Sequence, residues 1–342
     1  MQRGMQPVAA PSSYAHPARP AVAQGFTRFA WSILAYNVAV ILWGALVRAS
    51  GSGAGCGGHW PLCNGDVIPA APSGGTLIEL THRAMSGLAL AGVAALFLWA
   101  RKTYPALSPA LSPALSMDPR WWKPRWWAGL ALVFIVTEAL LGAGLVLLGY
   151  VAKDASVGRA YWLCAHLINT FLLLASLALT AWTSGASNEP AATGARKAGA
   201  ARYAIAIGAL VTVAMAGAIT ALGDTLFPSA SLARGFTEDF SASAPFLVKL
   251  RVIHPALAIL TSVLVVLLAL PEYRARRTRR LEMLSGFLIW MVVAAVAAGA
   301  LTLLLRAPVP LQLMHLLIAD ILWIALVLFT CEQFRENGAK RL

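Results

Sequence analysis

Apolar residues in this chain come in long blocks broken by short polar stretches, without the one-faced spacing of a water-soluble helix. A helix crossing the hydrocarbon core of a bilayer needs about 20 mostly apolar residues. Eight segments meet that length and predict eight spans, at 29–48, 77–100, 126–150, 160–183, 203–223, 247–270, 283–305 and 310–331. Three stretches carry no Asp, Glu, Lys or Arg at all: Tyr203 to Gly223, Val252 to Pro271 and Met283 to Leu305. Residues 1–27 are Pro-, Ala- and Ser-containing and lack the apolar centre of a signal peptide, so they are expected to be a disordered N-terminal tail. Residues 105–116 are three copies of Pro-Ala-Leu-Ser, a low-complexity linker. Trp121, Trp122, Trp126 and Trp127 follow, as in an interfacial aromatic belt.

The blocks also repeat. Gly44-Ala-Leu-Val lies near the end of the first span, and Gly217-Ala-Ile-Thr lies within the fifth. From Gly44 to His82 is 38 residues, and from Gly217 to His254 is 37. The expected architecture is an all-α membrane protein of eight transmembrane helices, arranged as two pseudo-symmetric four-helix bundles in parallel orientation. The N-terminal bundle is placed at 28–185, the C-terminal bundle at 200–332, and a cytoplasmic tail at 333–342.

Composition agrees with this reading. Of 342 residues, 59% are hydrophobic and 12% charged, with a mean hydropathy of +0.70. Soluble domains carry roughly 25% charged residues, so a single water-soluble domain is excluded. A net charge of +13 would suggest a nucleic-acid partner on a soluble protein. Here 19 of the 27 basic residues fall in the N-tail, in the loops after spans 2, 4 and 6, and in the C-tail. By the positive-inside rule both termini are cytoplasmic and the loops at 50–76 and 223–246 face outward. The excess charge is therefore an orientation signal, and no nucleic-acid partner is expected.

The histidines carry the chemistry. His82, His166, His254 and His315 lie on spans 2, 4, 6 and 8, each a few residues past the outer end. Polar groups inside a membrane are costly and usually face the bundle interior. A single such histidine is as readily a hydrogen-bonding residue as a ligand, but four in one layer on alternate spans favour ligation. Two histidines from facing helices clamp one heme iron, whereas zinc or copper usually calls for three or four donors converging on a point. Two repeats with a histidine pair each suit two hemes.

Other residues colour the site. Glu79 lies one helical turn before His82, within reach of Arg83 or Arg48; the equivalent place before His254 is Arg251, a cation suited to a heme propionate. Cys56 and Cys63 are placed to close a small disulfide loop on the outer side, as a staple or as a redox-active dithiol. Glu138 and Asp320 are acids inside spans, with Thr137 and Thr170 as candidate partners of Glu138. Cys164 and Cys331 read as buried thiols, His59 as a surface residue and His16 as idle.

Taken together, Gly44-Ala-Leu-Val-Arg48, Gly51-Ser-Gly53, the Cys56–Gly65 loop with Trp60-Pro-Leu-Cys-Asn-Gly65, and Glu79-Leu-Thr-His82-Arg83 resemble the heme A synthase family. The resemblance covers about residues 28–332. It implies an oxidoreductase of the cell (inner) membrane that oxidises the C8 methyl of heme O to the formyl group of heme A, for terminal cytochrome oxidases. It further implies Glu79 as the catalytic acid, His82 and His166 around the substrate heme O, and His254 and His315 as axial ligands of a heme b cofactor. It gives Cys56 and Cys63 a redox role. Candidate partners are heme O synthase, cytochrome oxidase assembly factors and a second copy of the chain; the electron acceptor is unknown. The sequence departs from the family in Pro255 after His254 and in a second outer loop without cysteines. Two other readings stand beside it. One is a di-heme b-type electron-transfer protein without heme-modifying activity, and the other is a transporter, prompted by the repeats and the intramembrane acids.

Overall fold

A computed structural model describes residues 21–104, 123–185 and 199–339. The Pro-Ala-Leu-Ser linker, Trp121, Trp122 and His16 lie outside these residues. Among the described residues the structure is helical, with ten α-helices, eight of them long and apolar enough to cross a membrane. These eight are α1 (Ala21–Ala49), α2 (Gly74–Thr103), α3 (Pro124–Leu147), α4 (Val157–Gly185), α5 (Ala200–Leu226), α8 (Ile253–Ala275), α9 (Arg279–Leu304) and α10 (Val309–Ala339). Two short helices, α6 (Leu232–Asp239) and α7 (Phe246–Lys249), lie between α5 and α8, and a 3-10 turn at Leu250–Val252 joins α7 to α8.

The helix ends differ from the sequence expectation for reasons of packing. Helix α1 starts at Ala21, so residues 21–27 belong to the first helix and not to a tail. Phe26 explains the extension: it is fully buried, with its ring 5.8 Å from that of Trp99 and 5.3 Å from that of Tyr104, both at the end of α2. Helix α10 likewise runs to Ala339 through the expected C-terminal tail. There Phe334 packs on Tyr203 at 5.8 Å and Gln333 is buried. At the other boundary α3 stops at Leu147, short of the expected 150, where Gly149 takes a left-handed φ of 73° that L-residues avoid. The segment after α5, expected as a long outward-facing loop, folds in part into α6. Ser231 caps α6 by accepting from Arg234 N–H at 3.2 Å.

Helices α4 and α10 are the most buried spans and join the two halves. Phe171 and Trp323 stack at 4.7 Å between them, and the Trp323 indole N–H donates to the Phe171 carbonyl at 2.8 Å. Arg48, in the last turn of α1, makes a second junction. From α1 it donates to the Ala221 carbonyl (2.7 Å) and Thr225 hydroxyl (2.9 Å) of α5, and to the Gln312 side chain (3.1 Å) of α10. The sequence had offered Arg48 as a partner for Glu79; the structure uses it to hold the halves together. Large apolar side chains such as Trp290, Leu260 and Leu140 point outward, as lipid-facing residues do.

Candidate functional site

Each of the four span histidines is seated on a glycine of the neighbouring helix. A Cβ added to Gly44 on α1 would lie 2.9 Å from Cε1 of His82 on α2, and one on Gly217 on α5 would lie 2.9 Å from Cε1 of His254 on α8. Gly299 on α9 stands in the same relation to His315 on α10 at 3.2 Å, and Gly142 on α3 to His166 on α4 at 3.9 Å. Four times over, a helix supplies the glycine and the next long helix supplies the histidine. The absent side chain lets a ring fill the groove between the two helices. The histidines lie six to nine residues beyond Gly74, Val157, Phe246 and Val309, or about 9–14 Å along each helix.

His254 and His315 come together with ring centres 6.4 Å apart and planes at 78°. Metal–imidazole bonds of about 2 Å on either side of one ion would set two facing ring centres roughly 6 Å apart. The His254 Nδ1 lies 3.1 Å from the Val213 carbonyl, a contact that selects the Nδ1–H tautomer and leaves Nε2 as the donor. In the other half, His82 on α2 and His166 on α4 sit on helices that both pack against α1 and α3. The Nδ1 atoms of His82, His166 and His315 are buried without a hydrogen-bond partner. Such orphaned imidazoles in paired arrangement fit the axial faces of a flat iron macrocycle. Among the described residues no group of three or more His, Cys, Asp or Glu converges as a zinc or copper site would.

Above the first pair sits the cysteine loop. Cys56 and Cys63 form a disulfide, and both are fully buried. Gly55 lets the loop lie on the start of α2, where a Cβ would come within 2.6 Å of the Gly75 backbone. Glu79, 3% exposed, ties the loop down. Its Oε2 accepts from the Cys56 N–H at 2.8 Å, and its Oε1 accepts from Arg83 at 2.5 Å. Arg83 also donates to the carbonyls of His59 and Leu62. Of the two partners foreseen for Glu79, the structure selects Arg83. The His59 side chain is exposed, as expected.

Arg251 plays a matching part in the second half. It donates to the Phe227 carbonyl at 2.9 Å and lies 3.3 Å from Asp224 and 3.8 Å from Asp239. Two protein carboxylates therefore already face the cation expected to meet a propionate. Burial pushes the Asp239 carboxyl up from its ordinary value, while Arg251 beside it pulls the other way. Pro255 falls in the first turn of α8, where its missing N–H is tolerated. Phe236 and Phe240, on and just after α6, are exposed.

The intramembrane acids behave differently from each other. Glu138 on α3 accepts from Thr170 and from Asn169 Nδ2 (2.6 Å), and its Oε1 lies 3.3 Å from His166 Nδ1, outside hydrogen-bond geometry. Thr170 is thus the partner foreseen, while Thr137 donates to Asn169 (2.6 Å) instead. Asp320 is fully buried with neither oxygen hydrogen-bonded. Cys164 and Cys331 are buried free thiols, as expected. The sequence reading missed Gly142, Gly299 and the Glu138–His166 contact. A search for a glycine in every span that precedes a histidine-bearing one would have found the first two.

Comparison with known proteins bears on the same region. The chain is 44% identical over 314 residues to the protoheme IX farnesyltransferase of Thermus thermophilus, covering 92% of this chain and 49% of that one. It is 36% identical over 154 residues to the heme A synthase of Halalkalibacterium halodurans, 45% of each chain. With the heme A synthase of Alkalihalophilus pseudofirmus it shares 39% identity over 110 residues, 32% of each. The chain spans about half the length, or less, of these relatives. A family model described as cytochrome oxidase assembly protein, COX15-CtaA, matches residues 27–327. That stretch holds all four glycine–histidine seats, the cysteine loop and nearly all of the eight long helices, and the chain belongs to the COX15-CtaA family of cytochrome oxidase assembly proteins.

Proposed function

We propose that this chain is a heme A synthase of the cell membrane, with both termini cytoplasmic. It oxidises the C8 methyl of heme O to a formyl group in two successive oxidations, with oxygen taken from water. The product supplies terminal cytochrome oxidases. The observation that carries this reading is the set of four glycine-seated histidines in one outer layer, with one pair beneath the Glu79–disulfide loop. The names of the Halalkalibacterium and Alkalihalophilus relatives support it.

In this reading the bundles at 28–185 and 200–332 divide the work. His82 and His166 bind the substrate heme O from opposite sides, and His254 and His315 hold a heme b. Bound there between His254 and His315, a heme b would supply one-electron redox chemistry. Glycines 44, 142, 217 and 299 set the ring positions. The outer loop, pinned by Arg83 and Glu79, covers the N-terminal site and limits water access. Glu79 supplies a carboxylate for proton movement at the substrate edge. Arg251 anchors a propionate by exchanging one of its two carboxylate partners. The buried disulfide acts as a redox dithiol only when the loop opens, because neither sulfur faces solvent. The prenyl transfer in the Thermus names belongs to chains about twice the matched length. No carboxylate cluster described above would hold the metal ions of a diphosphate.

One observation favours a second reading, the di-heme electron carrier. Both carboxylate oxygens of Glu79 are already used in tying down the loop. Expression beside a heme O source, followed by pigment analysis, separates the two. A heme A synthase yields heme A, and Glu79→Ala lowers that yield. An electron carrier yields only b-type heme whatever stands at position 79.

A further inference from the structure

The four histidines are not equivalent at Nδ1. His254 Nδ1 meets a backbone carbonyl, that of Val213, while the Nδ1 atoms of His82, His166 and His315 are buried without a hydrogen-bond partner. Among the described residues, only His166 Nδ1 has a carboxylate beside it, with Glu138 Oε1 3.3 Å away. The carboxylate is held in place by more contacts than it needs for a lipid-shielded acid. Asn169 and Thr170 both donate to it, Asn169 also donates to the Phe134 carbonyl at 2.8 Å, and Thr137 donates to Asn169. A carboxylate offers about four acceptor sites, and these two donors leave acceptor capacity unused beside the ring. The other intramembrane acid, Asp320, makes no ion pair with a histidine among the described residues and has no hydrogen-bond partner.

We infer that Glu138 is a positioning residue for the N-terminal site. It turns the His166 ring so that Nε2 faces the bundle interior and strengthens that nitrogen as an iron donor. This inference rests on the reading of His166 as a heme ligand. A carboxylate behind a metal-bound imidazole fixes its tautomer and raises its basicity, and a stronger donor favours oxidised iron. With no such carboxylate behind His254 or His315, the N-terminal iron is the more easily oxidised of the two. Electrons then pass from the substrate side toward the C-terminal heme rather than back.

The test uses the full chain reconstituted with hemin and titrated potentiometrically while the Soret band is followed. The variants are Glu138→Gln, Glu138→Asp and His166→Ala. Glu138→Gln can still accept from Asn169 through its amide oxygen and donate its amide N–H to the Thr170 hydroxyl, but it removes the carboxylate. It is expected to keep two hemins per chain, raise the midpoint of one and leave the other unmoved. Glu138→Asp retracts the carboxylate by one methylene and is expected to fall between wild type and Gln. If Glu138→Gln does not bind hemin, Glu138→Asp decides alone. An unmoved midpoint in the variant that binds, or equal movement of both midpoints, overturns the inference. His166→Ala tests the reading beneath it: two hemins with an unchanged spectrum in that variant would show that His166 is not a ligand, whatever Glu138 does.

Discussion

Glu79 shows how one carboxylate serves both structure and chemistry. It joins the Cys56 N–H to the Arg83 guanidinium at a buried point. Removing it leaves the buried Cys56 amide without its acceptor and Arg83 with its carbonyl partners but no counter-charge, a change that costs about 3 kcal/mol when a buried pair is broken. Glu79→Ala is therefore expected to lower the thermal midpoint of the purified protein and to make Cys56 and Cys63 reducible under milder conditions. Arg83→Ala should loosen the loop similarly but leave the carboxylate in place. If Glu79 also moves protons, heme A yield falls much further in Glu79→Ala than in Arg83→Ala, as pigment analysis of matched expression cultures will show. Equal yields from the two would confine Glu79 to its structural tie.

At the scale of helices, the glycine–histidine seat is the repeating device. Alanine for glycine inside a helix ordinarily adds up to about 1 kcal/mol of stability. On α5 the two outcomes are predicted to part. Gly208→Ala, with open space around it, should be silent or slightly stabilising. Gly217→Ala places a methyl against the His254 ring and should weaken hemin binding at the C-terminal pair by tenfold or more, measured by titration of the Soret band. The eight spans and the Gly44–His82 and Gly217–His254 spacings were legible in the sequence because they depend on local hydropathy and on two recurring strings. Helix ends fixed by Phe26 and Phe334 were not, since the buried Phe26 ring and the half-buried Phe334 ring pack on residues distant in sequence. Helix α6 was not legible either, because its residues are too polar to register as a span. Glu138 was recognised as an unusual acid and Thr170 as its partner, but its contact with His166 depends on how α3 packs on α4.

For the whole molecule, the charge asymmetry and the histidine layer make one statement about orientation. The segments assigned to the cytoplasm carry a net +13, the outer segments +2, and Glu138 with Asp320 contribute −2. The site therefore lies toward the less charged side. Cysteine substitution at two exposed positions checks this: Asp66 in the outer loop and Arg276 between α8 and α9. A membrane-impermeant maleimide applied to intact cells should label Asp66→Cys at once and Arg276→Cys only after permeabilisation. The reverse pattern would invert the molecule. The central claim is that the four histidines hold heme so that one of them can be chemically changed. It is tested most directly by extracting and chromatographing the pigments of the purified protein, made in cells that supply heme O but have no other heme A synthase. The account predicts heme b together with heme O and heme A, and loss of heme A in His166→Ala. Heme b alone, with no heme A anywhere in the culture, would contradict it.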